Sequence, residues 1–382
     1  MRQLLFTILG LTVSGLSHTM LGVWLFDAFP RLRAHRRRVI AALVGLVFLG
    51  TIARLVTIYT HSEIAGTVMM VATCEWLIVL FSAVPLIVVR LASRGVTKIA
   101  PGEDTIGRRQ VIERTGGVAV LGATASVMGW GAVVGRHEFV VEEVPVRIPG
   151  LPKELDGYTI AQISDIHIGL LVGEKQIAPG LDMLARTKSD LVVVTGDMVD
   201  FDPRYIAETA RILGALKARD GVYAILGNHD HYTGAGSVSD ALRKAGLDVL
   251  VNDGRVIRAK DGGGFSLLGV DDVAGIRNGG IGPRLDRAQS AVPKDLPQIL
   301  LSHQPHTVDF WAGRVALQLS GHTHGGQFNP GFRPADLVMR YVAGRYDVGK
   351  TVLWVNRGFG VVGPPARVGA PPEVTKIVLV SA

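Results

Sequence analysis

Four apolar stretches, each about the length needed to cross ~30 Å of hydrocarbon as a helix, follow one another in the first third of the chain. They run Leu4–Phe26, Val39–Tyr59, Ala65–Val89 and Gly116–Gly135. Backbone N–H and C=O groups in lipid must satisfy one another locally, so these stretches are expected to be four transmembrane helices. Arg2 alone precedes the first, and strong basic charge follows it, an order that suits a retained span rather than a cleaved signal.

Charge divides at the same place. Residues 1–135 hold 13 Lys/Arg and 6 Asp/Glu, whereas residues 136–382 hold 27 of each, so the net +7 belongs to the membrane third. The neutral remainder carries no basic stripe interleaved with aromatics, and no nucleic-acid partner is expected. Arg31, Arg33, Arg36, Arg37 and Arg38 separate spans one and two. Arg90, Arg94, Lys98, Arg108, Arg109 and Arg114 separate spans three and four, while the turn at His61–Glu63 has no Lys or Arg. The positive-inside rule puts both basic loops in the cytoplasm, so after four crossings the remainder is expected outside it, on a multi-pass protein of the cell membrane. Arg108-Arg109-Gln110-Val111-Ile112 is similar to a twin-arginine export signal, and it also reads as an anchor at a helix end. His18, Arg54 and Glu75 lie at membrane depth, where charge is costly unless paired. A tight hairpin of spans two and three would bring Arg54 towards Glu75.

The single cysteine, Cys74, lies in an apolar run and excludes an internal disulfide, so a metal would be held by His, Asp and Asn. From about Glu138 short β-rich runs alternate with helical ones. Strands are expected at Tyr158–Ile163, Leu191–Thr195, Val222–Leu226, Ser266–Val270, Gln298–Leu301 and Ala316–Leu319. Helices are expected at Ile177–Thr187, Tyr205–Ala218 and Val238–Ala245. This alternation means an α/β fold, in which function gathers just past strand ends.

Five such ends carry chemistry: Asp165-Ile166-His167, Gly196-Asp197-Met198-Val199-Asp200, Gly227-Asn228-His229-Asp230, Ser302-His303 and Gly321-His322-Thr323-His324. Carboxylate, amide and imidazole without thiolate suit Mn, Fe, Zn or Ni. An extended backbone at Asp-x-His would point both side chains at one ion. Two ions ~3.5–4 Å apart can clamp a phosphoryl oxygen and hold a hydroxide for in-line attack. Any one block alone also reads as a turn, a cap or a loop pair, but all five in this order do not.

In that order the blocks resemble the signature of the calcineurin-like metallophosphoesterase superfamily. Gly325-Gly326-Gln327 and Asn356-Arg357-Gly358-Phe359-Gly360 are further similar to its bacterial membrane-attached branch. The resemblance covers residues 140–382. It implies a four-layer α/β/β/α metallophosphoesterase sandwich at 137–382, preceded by a bundle of about four transmembrane helices at 1–136. It implies Asp165, His167 and His324 on one divalent ion, Asn228, His303 and His322 on a second, and Asp197 bridging them. His229 would bind no metal but serve the phosphoryl group, with Asp230 orienting its imidazole and Asp200 in support.

His231 and His306 match no ligand position. Arg357 and Arg367 stand in a segment that could fold over the site, either to grip a phosphate or to pack.

The function so implied is metal-dependent phosphoester hydrolysis, as a phosphodiesterase or phosphatase using a metal-bound hydroxide. No Cys or Ser nucleophile accompanies the blocks, so no covalent phosphoenzyme is expected. Precedents in the family include phosphodiesterases and a pyrophosphatase acting on a lipid nucleotide. The membrane segment favours a lipid-linked or envelope substrate over a soluble phosphorylated small molecule. The rival is a membrane sensor or scaffold of the same fold with little turnover, which would call for a broken ligand set. A transporter would need a polar lining beyond the Arg54/Glu75 pair.

Overall fold

The computed structural model describes residues 2–60, 62–99, 105–258 and 263–382, and the expected loop residue His61 lies outside them. The chain divides into two compact units, the first Met1–Gly131 and the second Ala132–Val362 with Ala366–Ala382.

In the first unit α1 (Arg2–Ala28), α2 (Arg36–Thr60), α3 (Glu63–Ile99) and α4 (Thr105–Val133) follow one another. All four are long and apolar enough to cross a membrane. The fourth is rich in small residues for a reason of packing. A Cβ at Gly117 would collide with the Trp24 indole, and one at Gly116 would lie 2.8 Å from Val89 Cγ1. The glycine pair therefore lets α4 approach α1 and α3 closely, and the Trp24 indole donates to the Glu113 carbonyl at 2.8 Å. The expected pairing of Arg54 with Glu75 is not found. Glu75 instead meets the buried His18, Oε1 to Nε2 3.3 Å, because α1 as well as α2 packs on α3.

The second unit is built on two six-stranded sheets. The first comprises β1 (Val140–Ile148), β2 (Thr159–Ile163), β3 (Leu191–Thr195), β4 (Val222–Ile225), β5 (Asp248–Val249) and β12 (Glu373–Ser381), in the order β1-β12-β2-β3-β4-β5. The second comprises β6 (Asp253–Arg258), β7 (Gly264–Gly269), β8 (Gln298–Leu301), β9 (Leu317–Ser320), β10 (Gly344–Val348) and β11 (Thr351–Val355), in the order β10-β11-β9-β8-β7-β6. Strands β2-β3-β4 run parallel in one sheet and β7-β8-β9 in the other. Central parallel strands are buried on both faces, which is why Leu191–Thr195 and Gln298–Leu301 are buried throughout.

Inner faces meet through Ile160, Val193, Ile225, Leu267, Ile299 and Leu319 among others. The outer face of the first sheet is covered by α5 (Glu174–Arg186), α6 (Ile206–Gly214) and α7 (Asn228–Lys244), through Ile177, Leu213 and Leu242. On the second sheet α9 (Leu285–Ser290) and α10 (Val308–Trp311) pack through Leu285 and Trp311, and the one-turn α8 (Ala274–Arg277) follows β7. The result is the four-layer α/β/β/α sandwich that the resemblance implies.

Six strands and three helices expected from the sequence are present, with ends shifted by a few residues. The large shift is in α7, which begins at Asn228 rather than Val238, so the Gly-Asn-His-Asp block is its first turn. Strands β1, β5, β6, β10, β11 and β12 were not expected. Of these β12 matters most, because it inserts between β1 and β2 and ties the end of the chain beneath the site.

Candidate metal centre

Every expected ligand lies just beyond the carboxyl end of a parallel strand: Asp165 and His167 after β2, Asp197 after β3, Asn228 after β4, His303 after β8, His322 and His324 after β9. Both sheets deliver their ends to one edge. Gln162 on β2 fastens them by donating to Thr195 Oγ1 at 2.9 Å and across to the Ser320 carbonyl at 3.0 Å.

The chain turns sharply at these ends. Asp165, His167, Asp197, His322 and His324 all have left-handed φ, between 51° and 75°. Such conformations in non-glycine residues cost of order 1–3 kcal/mol each and persist only where surroundings enforce them. Enforcement comes from backbone ladders: Asp165 N donates to the Gly196 carbonyl and His167 N to the Asp197 carbonyl, each at 3.0 Å. Asp165 and His167 therefore converge through left-handed turns and not, as expected, through an extended Asp-x-His backbone.

The expected Asp and His ligands fall into two of the three donor groups found among the described residues. Asp165, His167 and His324 form one, and Asp197, His303 and His322 the other. Nε2 of His167 and Nε2 of His324 are 3.0 Å apart, and His324 Nε2 is 3.5 Å from Asp165 Oδ1. In the second group His303 Nε2 is 3.2 Å from Asp197 Oδ2, from Asn228 Oδ1 and from His322 Nδ1. Asp197 Oδ2 also lies 3.7 Å from His167 Nε2, so one carboxylate faces both groups. His303 Nδ1 donates to the Thr195 carbonyl at 2.8 Å, which leaves Nε2 as the ligand nitrogen.

Electrostatics fit cations. Burial pushes the Asp165 carboxyl up, against the pull of His303. Burial raises Asp197 too, but His303, His229 and His167 hold it well below the usual carboxylate range. Burial would lower His303, yet Asp197 and Asp165 raise it well above the ordinary imidazole value. Burial together with His303 brings His322 down to about 4. Buried anions thus draw positive charge to the point where unprotonated imidazoles also converge, the condition a divalent ion meets. His167 Nδ1, buried without a hydrogen-bond partner, belongs to the same arrangement. The donor set fits divalent metal.

His229 stands beside this centre, its ligand-type atom grouped with those of His167 and Asp197. Its backbone N–H, at the amino end of α7, donates to Asp197 Oδ1 at 2.8 Å. The expected partner of its imidazole was Asp230. The structure corrects this: the fully buried Asp230 accepts from the backbone N–H groups of Met198, Val199 and Gly227, at 3.0, 3.1 and 2.9 Å. Asp230 therefore pins the Asp197 loop to the α7 cap. Asp200 meets the ring, Oδ1 lying 3.1 Å from His229 Nδ1.

The remaining candidates separate cleanly. His231 is paired with Asp271 at 2.7 Å, and His306 is exposed outside both donor groups. Arg367, 1% exposed, donates to the carbonyls of Gly360, Arg357 and Ala370 at 2.6–2.9 Å. Burial brings its guanidinium down to about 9. Arg357 pairs with Glu142 and Glu373. Both arginines pack the C-terminal segment, and Arg367 also reaches the centre, Nη2 lying 3.3 Å from His324 Nδ1. Phe201 and Tyr232 were missed by the sequence reading. They are 55% and 51% exposed, lie parallel with centroids 6.0 Å apart, and Phe201 is 4.3 Å from the His229 ring. Their one signal is position, Phe201 following directly on one site block and Tyr232 lying two residues past the next.

The profile of the calcineurin-like phosphoesterase family matches residues 158–326. An uncharacterized metallophosphoesterase of Campylobacter jejuni is 35% identical over 237 residues, 61% of each chain. A Danio rerio protein named as a transmembrane protein with metallophosphoesterase domain is 32% identical over 273 residues, 69% of this chain and 62% of its own. The matches thus span about three fifths of these relatives. An uncharacterized metallophosphoesterase of Bacillus subtilis is 32% identical over 289 residues, 72% of this chain and 98% of its own. Four apolar helices and transmembrane relatives make this a membrane protein. Five ligand blocks on the matching sandwich, and a relative matched over nearly its whole length, place the chain in the calcineurin-like metallophosphoesterase family.

Proposed function

We propose that the second unit hydrolyses phosphoesters at a dinuclear divalent-metal centre. Asp165, His167 and His324 hold one ion, Asn228, His303 and His322 the other, and Asp197 is shared. The observation that carries this reading is the Asp197 carboxylate, within 3.7 Å of His167 Nε2 on one side and 3.2 Å of His303 Nε2 on the other. Bound there, divalent ions supply Lewis-acid polarisation of a phosphoryl oxygen and of water.

The chain's own contribution centres on His229, which binds no ion in this reading. Burial raises the Asp200 carboxyl, but His167 and His229 hold it well below its usual range, so it stays ionised. An anion on Nδ1 fixes the ring, leaving Nε2 as the nitrogen offered to the departing oxygen as its proton donor. The exposed rings of Phe201 and Tyr232 give the side nearest His229 an apolar wall.

The substrate we infer is a lipid-linked or envelope phosphoester, met on the extracytoplasmic side. It is supported by the four apolar helices and by the six residues, 134–139, between α4 and β1. The test is turnover by the purified, metal-reconstituted full chain against lipid-linked phosphodiesters, nucleotide-linked lipids and a soluble aryl phosphodiester. A kcat/KM at least about tenfold higher on a lipid-linked member is expected, one decade being ~1.4 kcal/mol. Equal turnover of soluble esters would reject the substrate class, and no turnover of any would reject the hydrolase. His229→Ala should keep its metal and lose about 10²–10⁴ in rate; metal loss would make His229 a ligand.

A further inference from the structure

The first unit carries a groove unconnected with phosphoester chemistry. It lies between α1 and α2, has a volume of about 900 Å³, and is walled by Leu11, Val23, Phe26, Leu43, Val47 and Phe48. From Leu11 to Phe26 it follows α1 for fifteen residues, about 22 Å at the rise of an α-helix. One leaflet of a ~30 Å hydrocarbon core is about 15 Å deep, so an acyl chain fits lengthwise. The walls are apolar but for Thr19 and the buried His18, and close packing in a membrane requires hydrocarbon against the apolar part.

One end of the groove is different. The helices are antiparallel neighbours, so Phe26 of α1 and the amino end of α2 share that end, and Arg33 and Arg36 line it. Arg33 has a weak partner in Asp27 at 3.4 Å, but Asp27 is already held by Arg90 at 2.6 Å. Arg36 has no ion pair among the described residues, and Arg31, Arg37 and Arg38 add charge nearby. An apolar trough of acyl length ending on exposed guanidiniums, one weakly paired and one without an ion pair among the described residues, is complementary to one kind of molecule.

We propose that this groove is a binding site for an anionic membrane lipid, with its phosphate on Arg33 and Arg36 and an acyl chain along α1 and α2. The guanidinium fork suits a phosphate, and basic pockets between spanning helices are a known way of recognising acidic headgroups. Gly15 lines the groove, and a Cβ built there meets nothing within 4 Å, so a larger side chain at this position would project into open space. The site is separate from the donor groups of the second unit, and its failure would leave the hydrolase reading untouched.

The test is the lipid retained per chain by the full-length protein purified in mild detergent, identified and quantified by mass spectrometry. About one anionic phospholipid per chain is expected, enriched at least about tenfold over its share of the source membrane. Gly15→Leu fills the trough and should abolish retention. Arg33→Gln with Arg36→Gln alters two exposed side chains, so folding should survive. That variant should lose the preference for anionic over zwitterionic lipid while keeping the helical circular dichroism of the parent. Retention at bulk membrane proportions, or an anionic preference unchanged in the double variant, would overturn the proposal even if Gly15→Leu failed to fold.

Discussion

Oδ1 of Asp200 lies 3.1 Å from Nδ1 of His229, and the same oxygen is 3.8 Å from Nδ1 of His167. One carboxylate thus steadies the imidazole beside the centre and places its charge near the His167 imidazole. Asp200→Asn preserves size and removes the charge that His229 Nδ1 faces. The expected result is a fall in kcat of about 10–100-fold, with metal content unchanged and KM altered by less than about threefold. Metal analysis alongside steady-state kinetics on an aryl phosphodiester checks it, and an unchanged kcat would remove Asp200 from the proton path.

Gly321 offers a test of how tightly the ligands are held. A Cβ there would overlap Ser164 Oγ and Asp165 Oδ2, while Asp165 also accepts from His322 N at 2.9 Å. Gly321→Ala should push the Asp165 carboxylate off its position. Metal affinity is expected to fall at least about tenfold, the scale for disturbing a ligand's support, with the far-ultraviolet circular dichroism of the parent retained. Titration of apo-protein with Mn or Zn reads the change, and unaltered affinity would mean that Asp165 can move without consequence.

The arginines between α1 and α2 and between α3 and α4 predict the membrane sidedness by the positive-inside rule. A reporter that is active only outside the cytoplasm, fused after Ala382, should be active. A cytoplasmic reporter at the same place should be silent. The opposite pattern would invert the topology and with it the substrate compartment.

How the site could be seen in the sequence, and where it could not, has a physical basis. Each ligand follows a short buried strand, so the chain announces it by a run such as Leu191–Thr195 ending in Gly196-Asp197. The turn geometry is not announced, because left-handed φ at Asp165 and His322 is open to Asp and His but is held there by contacts with distant strands. Asp230 and Asp200 are both acids beside a site block, and only the fold decides that the first accepts backbone N–H groups while the second meets His229. The start of α7 was hidden by Asn228-His229-Asp230-His231-Tyr232-Thr233-Gly234, poor helix formers with Gly234 at φ 125°. Strand β12 was hidden because it pairs with β1 across more than two hundred residues. At membrane depth, composition revealed His18 and Glu75, while packing of α1 on α3 chose them as partners over Arg54.

The most direct measurement of the central claim is metal content per chain, by elemental analysis, taken with hydrolysis in wild type and Asp197→Ala. Asp197 faces both donor groups, so the wild type should bind about two divalent ions per chain. Chelation should abolish turnover and re-addition restore it. Asp197→Ala should lose at least one ion and about 10³-fold or more in rate. Full turnover with a single ion per chain, or an Asp197→Ala variant that keeps two ions and the parental rate, would contradict a shared dinuclear centre.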